Sequence, residues 1–399
     1  MPPSLPARRH DIDALRALAF ALLILYHLCM LYVFDWDWHI KSSYQAEWLQ
    51  WPMLFMNRWR MDLIFLISGV ASAFLLDPQR IGRFLWARHT RLVLPLVFGI
   101  LVVVPIQPYV QGVANGAVEP GFVQFLFDYF GGKPWPKDAF SGWKTGYTWN
   151  HLWYLAYLWM YTLALGLLAR PLETAPARRL RSWFAGLHGP ALMVLPALPL
   201  LAWTLLLQVR FPDNGDFIHD WYRNAMYFTV FLYGYLLARE AGFWAEAVRL
   251  RRLSLGVALA LAASYLSLVA VLPDDISWPV QLLVWTLRNL YVWTMLLALL
   301  GWSHALLNRP WRWLPWANEA VYPWYMLHQS LIVLFAYWLL PLRLGPVLEP
   351  LAILTATIAG CWGGFALIRR SRWLRPFFGM KFQPRVPAPS PLLQSPQPQ

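Results

Sequence analysis

The sequence predicts an all-α integral membrane protein of about ten transmembrane helices, with both termini cytoplasmic. Three observations carry this. Across 399 residues 59% are hydrophobic and only 13% charged, whereas a soluble domain is near 45–50% apolar and about a quarter charged. Apolar runs of about 20 residues, enough to cross a hydrocarbon core about 30 Å thick, recur along the chain. The Lys and Arg residues fall in clusters between alternate runs, as the retention of positive charge on the cytoplasmic side requires. A net charge of +13 spread in this way lacks the continuous basic face of a nucleic-acid binder.

The expected spans lie near 14–34, 57–76, 92–110, 151–169, 190–209, 224–238, 253–272, 280–301, 320–340 and 348–368. The second begins on Arg58, Arg60 and Asp62, and the sixth is short, so these two carry the weakest apolar signal. With both ends inside, 22 of the 33 Lys and Arg residues are cytoplasmic and 9 are outside. The inner clusters are Arg80, Arg83, Arg88 and Arg91, then the groups around Arg178, Arg249 and Arg369; acids such as Asp35, Asp37, Asp213, Asp216, Asp220, Asp274 and Asp275 mark the outer loops. The domain plan is a cytoplasmic tail over 1–13, a transmembrane domain over 14–368, and a basic then Pro-rich tail over 369–399. The stretch from Gln383 to Gln399 is too polar and Pro-rich to order itself. Arg8 and Arg9 before an apolar run resemble a signal peptide, but the run is too long and lacks a small-residue exit. No internal repeat is evident, which weakens a transporter built on inverted halves.

Ionisable residues inside a span need a partner or a task. Arg16 and His27 are 11 residues apart, which places them on one helical face about 16 Å apart, Arg16 inward and His27 outward. A hydrogen-bonded packing histidine is the plain alternative. Arg88 and Arg91, three apart, form a two-guanidinium face suited to phosphate oxygens, although positive-inside anchoring also yields such a cluster. Glu319 sits at the inner boundary of the ninth span, and Tyr322, Tyr325 and His328 form a polar stripe beyond it. His151 opens the fourth span at the outer side. Arg288 and Asn289 lie in the eighth span, where a structural ion pair with Asp62 is expected. Trp36 and Trp38, among 26 tryptophans, serve an interfacial belt or a stacking surface for sugar rings. Cys29 and Cys361 lack metal or disulfide spacing and read as packing residues; no metal site is expected.

Arg16 and His27 preceded by Asp13-Ala14-Leu15, the segment Asp62-Leu63-Ile64-Phe65-Leu66-Ile67-Ser68-Gly69, Arg88-His89-Thr90-Arg91, and the run from Tyr322 through Tyr325 to His328 together resemble the membrane-bound acyltransferase 3 family, from about residue 11 to 368. Trp36-Asp37-Trp38-His39, Glu47-Trp48-Leu49-Gln50 and Asn318-Glu319-Ala320-Val321-Tyr322-Pro323 look like its branch called glucan biosynthesis protein C, associated with succinylation of periplasmic glucans. Val321 stands where many members have Ser, and Leu158 and Trp159 where many carry Glu, so no carboxylate role transfers to those positions.

The resemblance implies a bacterial inner-membrane O-acyltransferase. It would take an acyl group from cytoplasmic acyl-CoA (succinyl-CoA or acetyl-CoA, a co-substrate and no resident cofactor) to hydroxyls of a periplasmic glucan or other polysaccharide. On that reading Arg88 and Arg91 hold the CoA phosphates, Arg16 steers the thioester, and His27 acts as general base or as acyl-accepting nucleophile. Glu319 and His328 are further candidates for proton handling, and His151, Trp36 and Trp38 for the acceptor. A carrier or flippase for a small anion or glycolipid, or a structural subunit of an export machine, are the alternatives from other classes.

Overall fold

A computed structural model describes residues 9–211, 217–273 and 275–382. Asp213, Asp216, Asp274 and the Pro-rich stretch from Gln383 lie outside the described residues, as do residues 1–8. Among the described residues the architecture is helical throughout, with one isolated bridge between Val33 and Ala46.

The long helices are α1 (His10–Cys29), α2 (Gln50–Leu75) and α3 (Ile81–Phe98), the last continued by a wide π turn into α4 (Ile106–Ala114). A short helix, α5 (Phe122–Phe130), precedes α6 (Trp153–Leu168) and α7 (Ala175–Ala185). Next come α8 (Gly189–Val194) and α9 (Ala197–Trp203), then α10 (Trp221–Leu237), α11 (Ala241–Val271), α12 (Trp278–Leu307), α13 (Leu314–Leu339), α14 (Leu348–Arg370) and the terminal turn α15 (Leu374–Phe377). Eight helical segments are long and apolar enough to cross a membrane; the chain is a multi-pass membrane protein. The two others expected from the sequence, α2 and α10, are the polar one and the short one. Helix α2 packs against α1, α10, α11, α12 and α6, so its Arg60 and Asp62 are buried in protein, where charge costs less than in lipid.

Contacts between helix ends orient the bundle. At the end that holds the start of α1, Asp11 accepts from Arg9 and His304 (both 2.7 Å) while the Arg9 guanidinium lies 3.7 Å from the Trp244 ring centre. This ties α1 to α11 and α12. At the opposite end, Lys41 donates to the carbonyls of Met30, Val33 and Trp36. Helix α1 stops at Cys29 rather than running to 34, and three backbone carbonyls of the segment beyond it converge on one cation. Burial pulls the Lys41 pKa down, against Asp37 and Asp35, which raise it.

Prolines interrupt two of the expected spans, and other helices repair the damage. Pro95 has no N–H for the carbonyl of Arg91, and the Tyr322 hydroxyl donates to that oxygen instead (3.0 Å). Further on, the π turn Gly99–Val103 frees the Val103 carbonyl, which accepts from Ser330 (2.7 Å). In the 190–209 region Pro196 separates α8 from α9; the Leu192 carbonyl it leaves unbonded receives the Trp293 indole N–H (2.7 Å). Backbone at membrane depth is thus satisfied by neighbouring side chains.

Candidate functional site

The site is built where α1 and α13 cross. His27, in the last turn of α1, and His328, midway along α13, stack with ring centroids 5.0 Å apart, and His27 Nδ1 lies 2.8 Å from His328 Nε2. His328 Nδ1 faces two acceptors of its own helix, the carbonyls of Tyr325 (2.7 Å) and Trp324 (3.1 Å). Carbonyls only accept, so Nδ1 of His328 carries the proton. With both rings neutral, Nε2 of His328 is then a lone pair, and His27 Nδ1–H donates to it. The consequence falls on the far side of the His27 ring, where Nε2 is left unprotonated. The hydrogen-bond pattern thus fixes the tautomer through a backbone anchor.

His27 is half-buried and lines a cavity of about 430 Å³ at the Lys41 end, together with Trp38, His39, His151, Trp153 and Gln329. A polar network forms its walls. His151 Nε2–H donates to the Met326 carbonyl (3.0 Å), so its Nδ1 accepts from the Gln107 amide (3.2 Å). Gln107 also donates to Ser330 and accepts from Asn150 and Gln329. Gln329 donates to His39 Nε2 (3.2 Å), and His39 Nδ1–H donates to Gln111 (2.9 Å). Both amide protons of Gln107 and both of Gln329 have acceptors, so the His39 and His151 rings are held in single tautomers. Burial holds the His39 imidazole well below the usual histidine range, at about 4.

At the other end a cavity of about 140 Å³ is lined by Arg16, Arg88, Arg91, Ser68, Tyr154 and Tyr322, among others. Arg16 donates to Asn318 (2.8 Å) and Asp13 (3.1 Å), and Arg88 to Ser72 (2.5 Å). Arg88 and Arg91 also line a second hollow of about 330 Å³ with Arg80, Arg83 and Asp77. Four guanidinium groups therefore line this second hollow, at the end of the bundle that holds Arg16, a field suited to phosphate. Val321 and Leu158, two of the three residues that depart from the family pattern, line the 140 Å³ cavity, and Trp159 does not.

Arg16 and His27 share a helix face yet open into different cavities that have no lining residue in common. Between them stand Phe20, Tyr154 and Tyr325, with ring centroids 5.2–6.4 Å apart. The Tyr154 hydroxyl is tied to Ser68 (2.5 Å) and that of Tyr325 to the His151 carbonyl (2.6 Å). These three rings form a partition that closes the two cavities from each other.

Three expected residues find other surroundings. Glu319 does not border either cavity: its carboxylate is clamped by Arg369 and Arg375 (3.1 Å each), which fastens α13 to the C-terminal basic segment. Trp36 packs against Tyr26 outside the cavity lining, whereas Trp38 lines it. Arg288 donates to Gln208 (2.7 Å), Tyr222 (2.8 Å) and Thr204 (3.3 Å) rather than to Asp62. Sequence reasoning missed Gln107, Gln111, Gln329 and Asn318; the one signal available was the spacing of Gln107 and Gln111, four apart in an apolar stretch.

Over 166 residues the chain is 27% identical to the glucans biosynthesis protein C of Escherichia coli K12, covering 41% of this chain and 39% of the relative. Those of Escherichia coli O1:K1 and O139:H28 match over the same 166 residues at the same identity. The aligned region spans about two fifths of the length of these curated relatives. No solved structure matches the chain. The acyltransferase domain profile of the acyltransferase 3 family matches residues 9–368, nearly the whole transmembrane bundle and every residue of the histidine pair and the guanidinium cluster, and the chain belongs to that family.

Proposed function

We propose that this acyltransferase spans the bacterial inner membrane ten times with both termini cytoplasmic, and carries an acyl group, succinyl in the first instance, from cytoplasmic acyl-CoA to a hydroxyl of a periplasmic glucan. One observation carries the chemistry: the hydrogen-bond chain from the α13 carbonyls through His328 leaves His27 Nε2 as a proton acceptor in the outer cavity. The guanidinium-lined space supports a donor with phosphates at the inner end. The glucan acceptor rests on the printed name of the curated relatives.

In this reading the CoA phosphates sit among Arg80, Arg83, Arg88 and Arg91, and Arg16 guides the thioester toward the partition. His27 Nε2 takes the proton of the acceptor hydroxyl as its oxygen attacks the thioester carbon. The C–S bond breaks, and the leaving thiolate recovers the proton from the imidazolium. The imidazolium is stabilised because His27 Nδ1–H already donates to His328. Attack by His27 Nε2 itself, giving an acyl-imidazole that the hydroxyl then opens, balances equally. His151, held by Gln107 and Met326, positions the acceptor.

Purified protein incubated with a panel of acyl-CoAs should release free thiol only when glucan is present, and most rapidly with succinyl-CoA. His27→Ala should abolish that release, and His328→Phe should lower kcat by roughly 10²–10³-fold with the KM for acyl-CoA unchanged. Thiol release independent of acceptor, or an active His27→Ala protein, would remove the assignment and favour a carrier. The topology is tested apart from this: an impermeant maleimide should label Asp35→Cys in intact spheroplasts and Asp77→Cys only after permeabilisation. The reverse pattern would invert the orientation.

A further inference from the structure

A separate cavity of about 300 Å³ lies beside the histidine site, and the mechanism above does not use it. Its lining includes Asn57, Arg58, Asp62, Tyr227, Arg288 and Asn289. Asn57 and Arg58 belong to the first turns of α2, directly after the loop whose Trp38 and His39 line the His27 cavity, so both cavities occupy the same end of the bundle. The size falls within the roughly 300–1,000 Å³ of small-molecule sites.

Its polar groups are not balanced within the protein. Asp62 and Asn289 are 5% and 1% exposed, and each has a side-chain oxygen without a hydrogen-bond partner. Arg58 Nε is a donor in the same state. Buried polar atoms left unpaired are destabilising, so the lining calls for a ligand that supplies donors and acceptors together. Arg223 also lines the cavity but is paired with Asp220 (3.7 Å); a phosphate or carboxylate would satisfy Arg58 and Arg288, but it brings no donors for the Asp62 and Asn289 oxygens and meets the Asp62 charge. Hydroxyl groups do both. Arg288, already held by Tyr222, Gln208 and Thr204, presents a fixed donor face to such a ligand.

An aromatic pair, backed by Phe65, links the two cavities. Trp153 lines the His27 cavity, Tyr227 lines this one, and their ring centroids are 5.9 Å apart at 30°. We infer that the Asp62–Asn289–Arg288 cavity is a second carbohydrate subsite. It takes a neighbouring sugar unit of the acceptor chain while the unit to be acylated presents its hydroxyl to His27. This assignment rests on the acyl-transfer reading for the identity of its ligand and extends it: the preferred acceptor is an oligosaccharide long enough to reach over the Trp153–Tyr227 pair.

The test uses full-length protein in lipid nanodiscs carrying His27→Ala, so that binding is read without turnover. Glucose and linear glucose oligosaccharides of increasing length are titrated by calorimetry. Affinity should rise about tenfold, the value of one or two well-made hydrogen bonds, once the chain spans both cavities. Asp62→Asn and Asn289→Ala should each erase that rise; Asn57→Ala, at the cavity margin, should reduce it and guards against loss of fold in the buried variants. Affinity that does not depend on length, a rise that survives all three substitutions, or displacement of the oligosaccharide by inorganic phosphate would overturn the subsite. The two readings fail separately. Length-dependent binding without acceptor-dependent thiol release from the wild-type protein defeats acyl transfer alone, and thiol release that is indifferent to acceptor length defeats the subsite alone.

Discussion

At the residue scale, the tautomers are decided by atoms that cannot titrate. The carbonyls of Tyr325 and Trp324 fix His328, which fixes His27, and the Met326 carbonyl fixes His151 through its other nitrogen. His39 shows what happens to the outer network as acid is added. Its folded-state pKa, about 4, lies below the ordinary value near 6.5, so between those values the unfolded chain binds a proton that the folded chain refuses. Stability is unaffected above pH 6.5 and is lost as pH falls toward 4, by roughly 3 kcal/mol for this group. Thermal midpoints from pH 7 to 4.5 should therefore fall less steeply for His39→Gln than for the wild type; equal slopes would exclude the linkage. Arg16, His27 and His328 stood out in the sequence as ionisable groups in apolar runs, His151 as one at the head of such a run, and Arg88 and Arg91 as guanidinium groups three apart between runs. Gln107, Gln111 and Gln329 were not, since neutral amides leave little trace in hydropathy and come together only when α4, α13 and the outer loop meet.

At the element scale, α2 and α10 show why hydropathy undercounts helices inside a bundle. A helix surrounded by other helices need not be apolar, because its polar side chains face protein. These two pack side by side with Gly69 against Phe231 and Gly234 against Leu66, so closely that a Cβ at either glycine would overlap the facing carbonyl oxygen. Small residues here do what they do in membrane helix pairs generally: they let backbones approach. Gly69→Ala and Gly234→Ala should each lower stability by about 1–3 kcal/mol, read as a reduced thermal midpoint in detergent, whereas Gly256→Ala, with open space at its Cβ, should not. Similar midpoints for all three would mean that the crossing is not tight. The same pair sets the floor beneath the second cavity, since Asp62 and Tyr227 lie about two turns from the crossing on their own helices. The breaks at Pro95 and Pro196 were visible as prolines, but their repair by Tyr322 and Trp293 depends on which helices become neighbours, and one sequence does not state that.

At the scale of the whole molecule, the bundle holds a cationic cavity at one end and a histidine cavity at the other, closed from each other by three rings. Transfer of an acyl group between them requires that the partition yield. Its members are not equally free: Tyr154 and Tyr325 are each anchored by a hydroxyl bond, to Ser68 and to the His151 carbonyl, while Phe20 is held by packing alone against both. Rotation of one phenyl ring disturbs no hydrogen bond, whereas moving either tyrosine strands a buried partner at about 1–3 kcal/mol. Under the proposed transfer, Phe20 is the ring freest to act as a gate. Replacing it with Trp should narrow the passage and lower kcat for the bulkier acyl-CoAs more than for acetyl-CoA. Phe20→Ala should reduce that size discrimination and raise acceptor-independent hydrolysis of acyl-CoA, because water from the outer cavity would reach the thioester. Both effects are measurable as thiol release with and without glucan. If Phe20→Ala leaves hydrolysis and acyl selectivity at wild-type values, the gate lies elsewhere, and the anchored tyrosines must move despite their bonds.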